Sequence, residues 1–194
     1  MQQTKTIAIL ATLALLGLAP VVSHADEPSS ASIEPPAHRA TIDYAVRAGI
    51  GVGLGSGDHG GIGTRAGVEG DWWWSHHVGV GARASRFANT DVFNASCEVY
   101  AFAPTVSLRT SPMRSRSYGV LGLGLGYARV LQSSTSGGLL GGKTTHRSSD
   151  AVYASVSAGW LFHHGPIELG PMLQLEATPQ TQVATINFVV GLGL

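Results

Sequence analysis

"GGLLGGKT", Gly137 to Thr144, is a literal G-x-x-x-x-G-K-T. In that pattern loop N–H groups cradle phosphates and the lysine reaches them, provided a helix begins at the lysine with a sheet behind it. Here the chain runs on as "THRSSDAVYASVSAG", which turns into strand-like alternation. A flexible glycine loop is the reading that fits. "GSGDHG", Gly55 to Gly60, matches G-x-G-x-x-G, a dinucleotide signature only where it opens a helix in a βαβ unit. It joins two alternating segments and reads as a hairpin loop. Eight histidines raise the question of a metal, above all the pairs His76/His77 and His163/His164. Neighbours on an extended chain point to opposite sides, so each pair offers at most one ligand per face. No metal site, cofactor or catalytic group is expected from these patterns.

The elements around these motifs share one design. In "TIDYAVRAGIGVGLGSG" the even positions Ile42, Tyr44, Val46, Ala48, Ile50, Val52 and Leu54 are apolar. The odd positions between them are mostly glycine, with Asp43 and Arg47. Strict alternation means a strand with two unlike faces. The pattern recurs at about 62–74, 77–87, 97–109, 118–131, 151–162, 167–177 and 183–194. That makes eight segments of about 11 to 15 residues, longer than the usual five or six. A tilted membrane strand needs about 9 to 11 residues. The connectors alternate in length, except that the last outer loop, 178–182, is unusually short and is outrun by the turn "SPMRSRS". The longer set lies near 55–61, 88–96, 132–150 and 178–182, and the short turns are "SHH", "SPMRSRS" and "HHGP". Long outer loops alternating with short periplasmic turns are the habit of outer-membrane barrels. This order puts both termini in the periplasm.

The amino terminus supplies the address. Lys5, the apolar run Ile7 to Leu18, and "SHA" before residue 26 form a secretory signal peptide over 1–25. Residues 26–40, "DEPSSASIEPPAHRA", read as a flexible lead-in. The barrel then occupies 41–194. Cys97 is the single cysteine, so no internal disulfide forms. Charge is balanced, with no basic run, which argues against nucleic acid as a partner. Charged residues make up 12% of the chain, about half the share in a soluble domain. Much of the surface therefore avoids water.

An apolar face could point inward around a ligand, as in soluble barrels. The other face would then meet water, yet it is Gly, Ala, Ser and Thr with few charges. With the apolar face in lipid, small residues let a narrow lumen close. Trp72, Trp74, Trp160 and Phe162 end strands beside short turns and point to the apolar side, as an interfacial girdle requires. The expected fold is an all-β, eight-stranded antiparallel up-and-down transmembrane β-barrel.

Over 41–194 the chain resembles the small outer-membrane barrel proteins of the outer membrane protein A and X type. The resemblance lies in the pattern and in the ending "INFVVGLGL", which keeps the alternation but finishes on Leu194 rather than the family's aromatic residue. It implies outer-membrane lipid and the barrel assembly machinery as partners, a monomer, and a non-enzymatic role in structure or surface contact. A small channel or carrier is the alternative. A third reading comes from "HRSSD", because His146 and Ser148 have the spacing of the base and nucleophile in outer-membrane lipid A deacylases, which are also eight-stranded. A glycine-rich loop would not hold a base against its nucleophile as activation demands.

Hairpin geometry also places charges. Through the first loop, opposite residues have numbers summing to about 116, so Arg47 faces Glu69. Through the turn near Ser75 and His76 the sum is near 152, so Arg83 faces Glu69 from the other side. All three occupy the small-residue face. They are expected to form a lumen cluster that plugs and staples the barrel, extended by Asp43 and Asp71 toward the periplasmic end.

Overall fold

The computed structural model describes residues 43–57, 61–90, 96–111, 115–138 and 141–193. The expected signal peptide and lead-in lie outside them. The described residues form eight strands and no helix: β1 (Asp43–Gly57), β2 (Gly61–Trp73), β3 (Val78–Thr90), β4 (Ser96–Arg109), β5 (Ser117–Gly138), β6 (Gly141–His164), β7 (Ile167–Ala177) and β8 (Thr181–Gly193). Each is antiparallel to the next, and β8 pairs with β1 to close the barrel. Closure leaves no edge to satisfy, which is what a sheet surrounded by lipid requires.

Register fixes the barrel's girth. Stepping between paired residues once around leads from Ala45 through Asp71, Gly81, Thr105, Gly124, Ser155, Glu176 and Val183 to Gly55, a shear of 10 residues. Eight strands with that shear tilt by about 40° and enclose an interior that side chains can fill. Crowding there accounts for the glycines. A Cβ on Gly81 would collide with the Gly70 carbonyl and the Asp71 carboxylate. Two prolines mark breaks in the ladder. The β4–β5 pairing passes from Phe102↔Tyr127 to Thr105↔Gly124, skipping Pro104. The β6–β7 pairing passes from Gly159↔Met172 to Phe162↔Leu169, skipping Pro171. Proline has no N–H to give a ladder.

The faces are inverted relative to a soluble protein. Val46, Ile50, Leu54, Ile62, Leu125, Val152 and Ile186 are all more than half exposed on the outside, while Arg47, Arg83 and Glu168 are buried. Tyr44, Trp72, Trp74, Trp160 and Phe162 ring one end of the apolar band, as the sequence pattern requires, and all are exposed. Tyr100 and Tyr127 bound the other end on β4 and β5. The two levels are roughly 20 Å apart, at ~3.3 Å per residue and ~40° of tilt. That is close to the roughly 25 Å apolar band of membrane barrels. No helix among the described residues is long and apolar enough to cross a membrane.

One expectation is corrected. Residues 132–150 are not a loose loop: β5 continues to Gly138 and β6 begins at Gly141, paired throughout from Gln132↔Arg147 to Gly138↔Gly141. Paired neighbours end earlier on either side, at Ser133 for β4 and Ala154 for β7. The outer part is therefore a two-stranded ribbon standing clear of the barrel wall. Its backbone bonds are made between its own two strands, which is why glycine and serine there do not leave the chain irregular.

Candidate functional site

Inward positions on the strands aim their side chains at one axis, and the lumen is filled by two layers of charge. The lower layer centres on Arg47 of β1. Its Nη1 meets Glu69 Oε1 at 3.4 Å and also contacts Asp71 Oδ2, both on β2. Its Nε donates to Glu168 Oε2 at 2.9 Å on β7. Arg83 of β3 grips the other side of Glu69, donating from Nε to Oε2 at 2.5 Å. Its remaining nitrogens donate to Ser155 Oγ at 3.3 Å and Ser157 Oγ at 2.8 Å on β6. Hydroxyls satisfy the other carboxylate oxygens: Tyr118 donates to Glu168 Oε1 at 2.5 Å and Ser107 to Asp71 Oδ1 at 2.9 Å. Two guanidiniums and three carboxylates thus lock strands β1, β2, β3 and β7, with β4, β5 and β6 supplying hydroxyls.

The upper layer centres on Glu176. Its Oε1 accepts from Arg65 Nε at 3.0 Å, Ser85 at 3.1 Å, Tyr153 at 2.7 Å and Gln174 at 2.6 Å. Between the layers lies a void of about 20 Å³ lined by Arg47, Arg65, Glu69, Arg83, Gln174 and Asn187. It has room for about one water, and Asn187 Oδ1 has no protein partner. Burying this many charges costs free energy unless each is paired and hydrogen-bonded. Here most are.

The structure brings Arg47, Glu69, Arg83 and Asp71 together. Asp43 goes elsewhere: it accepts from Arg109 Nη2 at 2.7 Å, and that guanidinium lies 4.5 Å over the ring of Trp73. Asp43 therefore does not extend the central cluster. The reason is height: it starts β1, two repeats of the alternation below Arg47, and the arginine at its level belongs to β4. Sequence reading missed Glu168, Tyr118, Arg109 and the whole Arg65–Glu176 layer. All lie at inward positions, so strand parity could have placed them in the lumen. Parity does not say which of them meet across it. Trp73, fully buried, was also missed between its outward neighbours Trp72 and Trp74.

The motifs with chemical potential are placed as follows. Lys143 of "GGKT" lies within strand β6 and opens no helix. Gly55 to Gly57 end β1, and residues 58–60 lie outside the described residues. His76 and His77 are in the β2–β3 turn, and His163 and His164 end β6. His146 and Ser148 are not in a loose loop. They sit two apart on one face of β6, both exposed, opposite Ser133 and Leu131. No hydrogen bond joins them among the described residues. The next acid on that face, Asp150, lies 3.9 Å from Arg129 Nε.

A closed barrel with an apolar outside, an aromatic girdle and ion pairs in its lumen defines the class: the eight-stranded outer-membrane barrel fold. Known structures agree. The chain is similar to Neisserial surface protein A (TM-score 0.61, 13% identity, covering 77% of this chain and 96% of that one). It is similar to a major outer membrane protein from Thermus thermophilus (TM-score 0.58, 12% identity, 79% and 99% covered). It is also similar to Ail, the attachment invasion locus protein of Yersinia pestis (TM-score 0.56, 14% identity, 79% and 99% covered). No family model and no curated protein matches the chain. At these identities the likeness is one of fold.

Proposed function

We propose that this protein is a monomeric, non-enzymatic barrel of the outer membrane, reached by signal-peptide export and inserted by the barrel assembly machinery. Its role is to stand in the membrane as a closed element and to present the β5–β6 ribbon at the cell surface. The observation that carries this reading is the filled lumen: ion pairs and hydroxyls bridge opposite walls, and the void between the two layers has room for about one water. A channel or carrier needs a continuous path, and among the described residues these ion pairs stand across it. Planar-bilayer recording of the purified barrel is the test. No conductance steps are expected, and reproducible steps in the unaltered protein would overturn the reading.

A second reading has one observation in its favour. Strand β6 puts His146 and Ser148 on a single exposed face, which a loop would not. Against a lipid A hydrolase stand the missing hydrogen bond between them and the engagement of Asp150 with Arg129. The mass of lipid A from cells making the protein or its Ser148→Ala variant separates the two. Loss of an acyl chain that depends on Ser148 would favour the hydrolase.

A further inference from the structure

We propose that the turn end of the barrel is a binding surface for anionic phospholipid headgroups, with Arg116, His164, His76 and His77 as the contacting groups. This rests on the membrane reading above and goes further, by naming the end of the barrel and the headgroup charge it selects.

The observation is a one-sided charge distribution. Among the described residues, the three connecting segments at this end, 74–77, 109–111 with 115–117, and 163–167, contain Arg109, Arg116 and four histidines, and no Asp or Glu. Toward the opposite end Arg86 and Arg129 are matched by Glu98 and Asp150. Of the basic groups at the turn end, Arg116, His164, His76 and His77 are exposed. The two acids whose positions approach this end are engaged elsewhere. Asp43 is held by Arg109 at 2.7 Å. Glu168 is fully buried with Arg47 and Tyr118. Among the described residues Asp43 takes Arg109, and no acid is bonded to Arg116, His164, His76 or His77.

Their depth is what selects lipid over a free anion. Trp72, Trp74, Trp160 and Phe162 mark the headgroup level, where such rings settle. Ser75, His76 and His77 follow Trp74 directly. Phe162 pairs with Ser117, and His163 N–H donates to the Arg116 carbonyl at 2.8 Å, which sets Arg116 opposite His163 just past the girdle, with His164 the next residue along the chain. Arg109 anchors the next sector, donating to the His76 carbonyl at 2.7 Å while its Nη1 has no protein partner. Guanidinium and imidazole N–H groups at this level are placed to donate to lipid phosphates. A zwitterionic headgroup offers them a phosphate with its own neighbouring cation. An anionic one offers net negative charge, and this difference sets the preference.

The test uses Trp160 as a local reporter. In a Trp72→Phe/Trp74→Phe background the remaining Trp73 is fully buried in the lumen, so brominated lipid quenches Trp160 alone. The barrel is reconstituted in vesicles mixing phosphatidylcholine and phosphatidylglycerol, with bromine on one lipid or the other. The quenching ratio gives the relative affinity of the two lipids at this site. Phosphatidylglycerol is expected to bind about fivefold more tightly, from roughly 1 kcal/mol for a basic group near an anionic surface at 1.4 kcal/mol per tenfold. Arg116→Gln with His164→Gln should bring the ratio close to one. Arg86→Gln, at the opposite end of the barrel, should leave it unchanged. A ratio near one in the reporter protein, or an equal loss in Arg86→Gln, would overturn the proposal while leaving the membrane reading intact. Absence of quenching by either lipid would take down the membrane reading and this surface with it.

Discussion

Glu69→Gln removes one negative charge from the middle of the lumen and keeps the shape. Glu69 serves two arginines at once, accepting from Arg47 Nη1 at 3.4 Å and Arg83 Nε at 2.5 Å. The two arginines fare differently after the change. Arg47 keeps Asp71 and Glu168. Arg83 is left with the hydroxyls of Ser155 and Ser157 and no carboxylate among the described residues. Its side chain is 2% exposed, so bulk water does not reach it to replace the carboxylate. Stranding one member of a buried pair costs about 3 to 5 kcal/mol. With a urea dependence of about 1 to 3 kcal/mol per M, the unfolding midpoint should fall by about 1 to 5 M. Glu98→Gln is the control. It breaks the Arg86–Glu98 pair at 3.1 Å on the outer wall, where solvent screens the interaction, and the midpoint should hold. The assay is urea unfolding of the vesicle-embedded barrel, followed by tryptophan fluorescence and by heat-modifiable gel mobility. Adding Arg83→Met to Glu69→Gln removes the stranded charge and should recover part of the loss. Equal midpoints for Glu69→Gln and Glu98→Gln would refute the cluster as a staple.

Two glycines give a matched pair. Gly81→Ala drives a methyl into the Gly70 carbonyl and the Asp71 carboxylate, whereas a Cβ on Gly70 meets nothing nearer than 4.0 Å. Gly81→Ala should therefore lower the yield of heat-modifiable barrel on refolding, and Gly70→Ala should not. Tyr118→Phe removes the donor to Glu168 Oε1 and an acceptor for Arg47. It should cost about 1 to 3 kcal/mol, read as a smaller urea shift than that of Glu69→Gln. Trypsin added to intact cells should cut first in the ribbon at Lys143 or Arg147, where the two strands have only each other and such a pair is marginal alone. Primary cleavage at Arg116 would instead mean that the turn end faces outward.

Much of this molecule follows from local rules. A period of two assigns each side chain to one wall of the barrel, and it does so without knowledge of any other strand. Turn length then fixes which residues of adjacent strands meet, so Arg47 opposite Glu69 and Glu69 opposite Arg83 are legible in the numbering itself. The girdle of Trp72, Trp74, Trp160 and Phe162 is legible for the same reason. Contacts across the lumen are not. Arg47 reaches Glu168 from 121 positions away, and Arg83 reaches Ser157 from 74. Those meetings depend on how far the sheet shears before β8 closes on β1, a property of all eight strands together. Shear also separated Asp43 from the cluster and gave it to Arg109. The β5–β6 ribbon was hidden in another way. Glycine and serine favour irregular chain locally, and only the pairing of each strand with its partner offsets that cost and carries the sheet past the membrane.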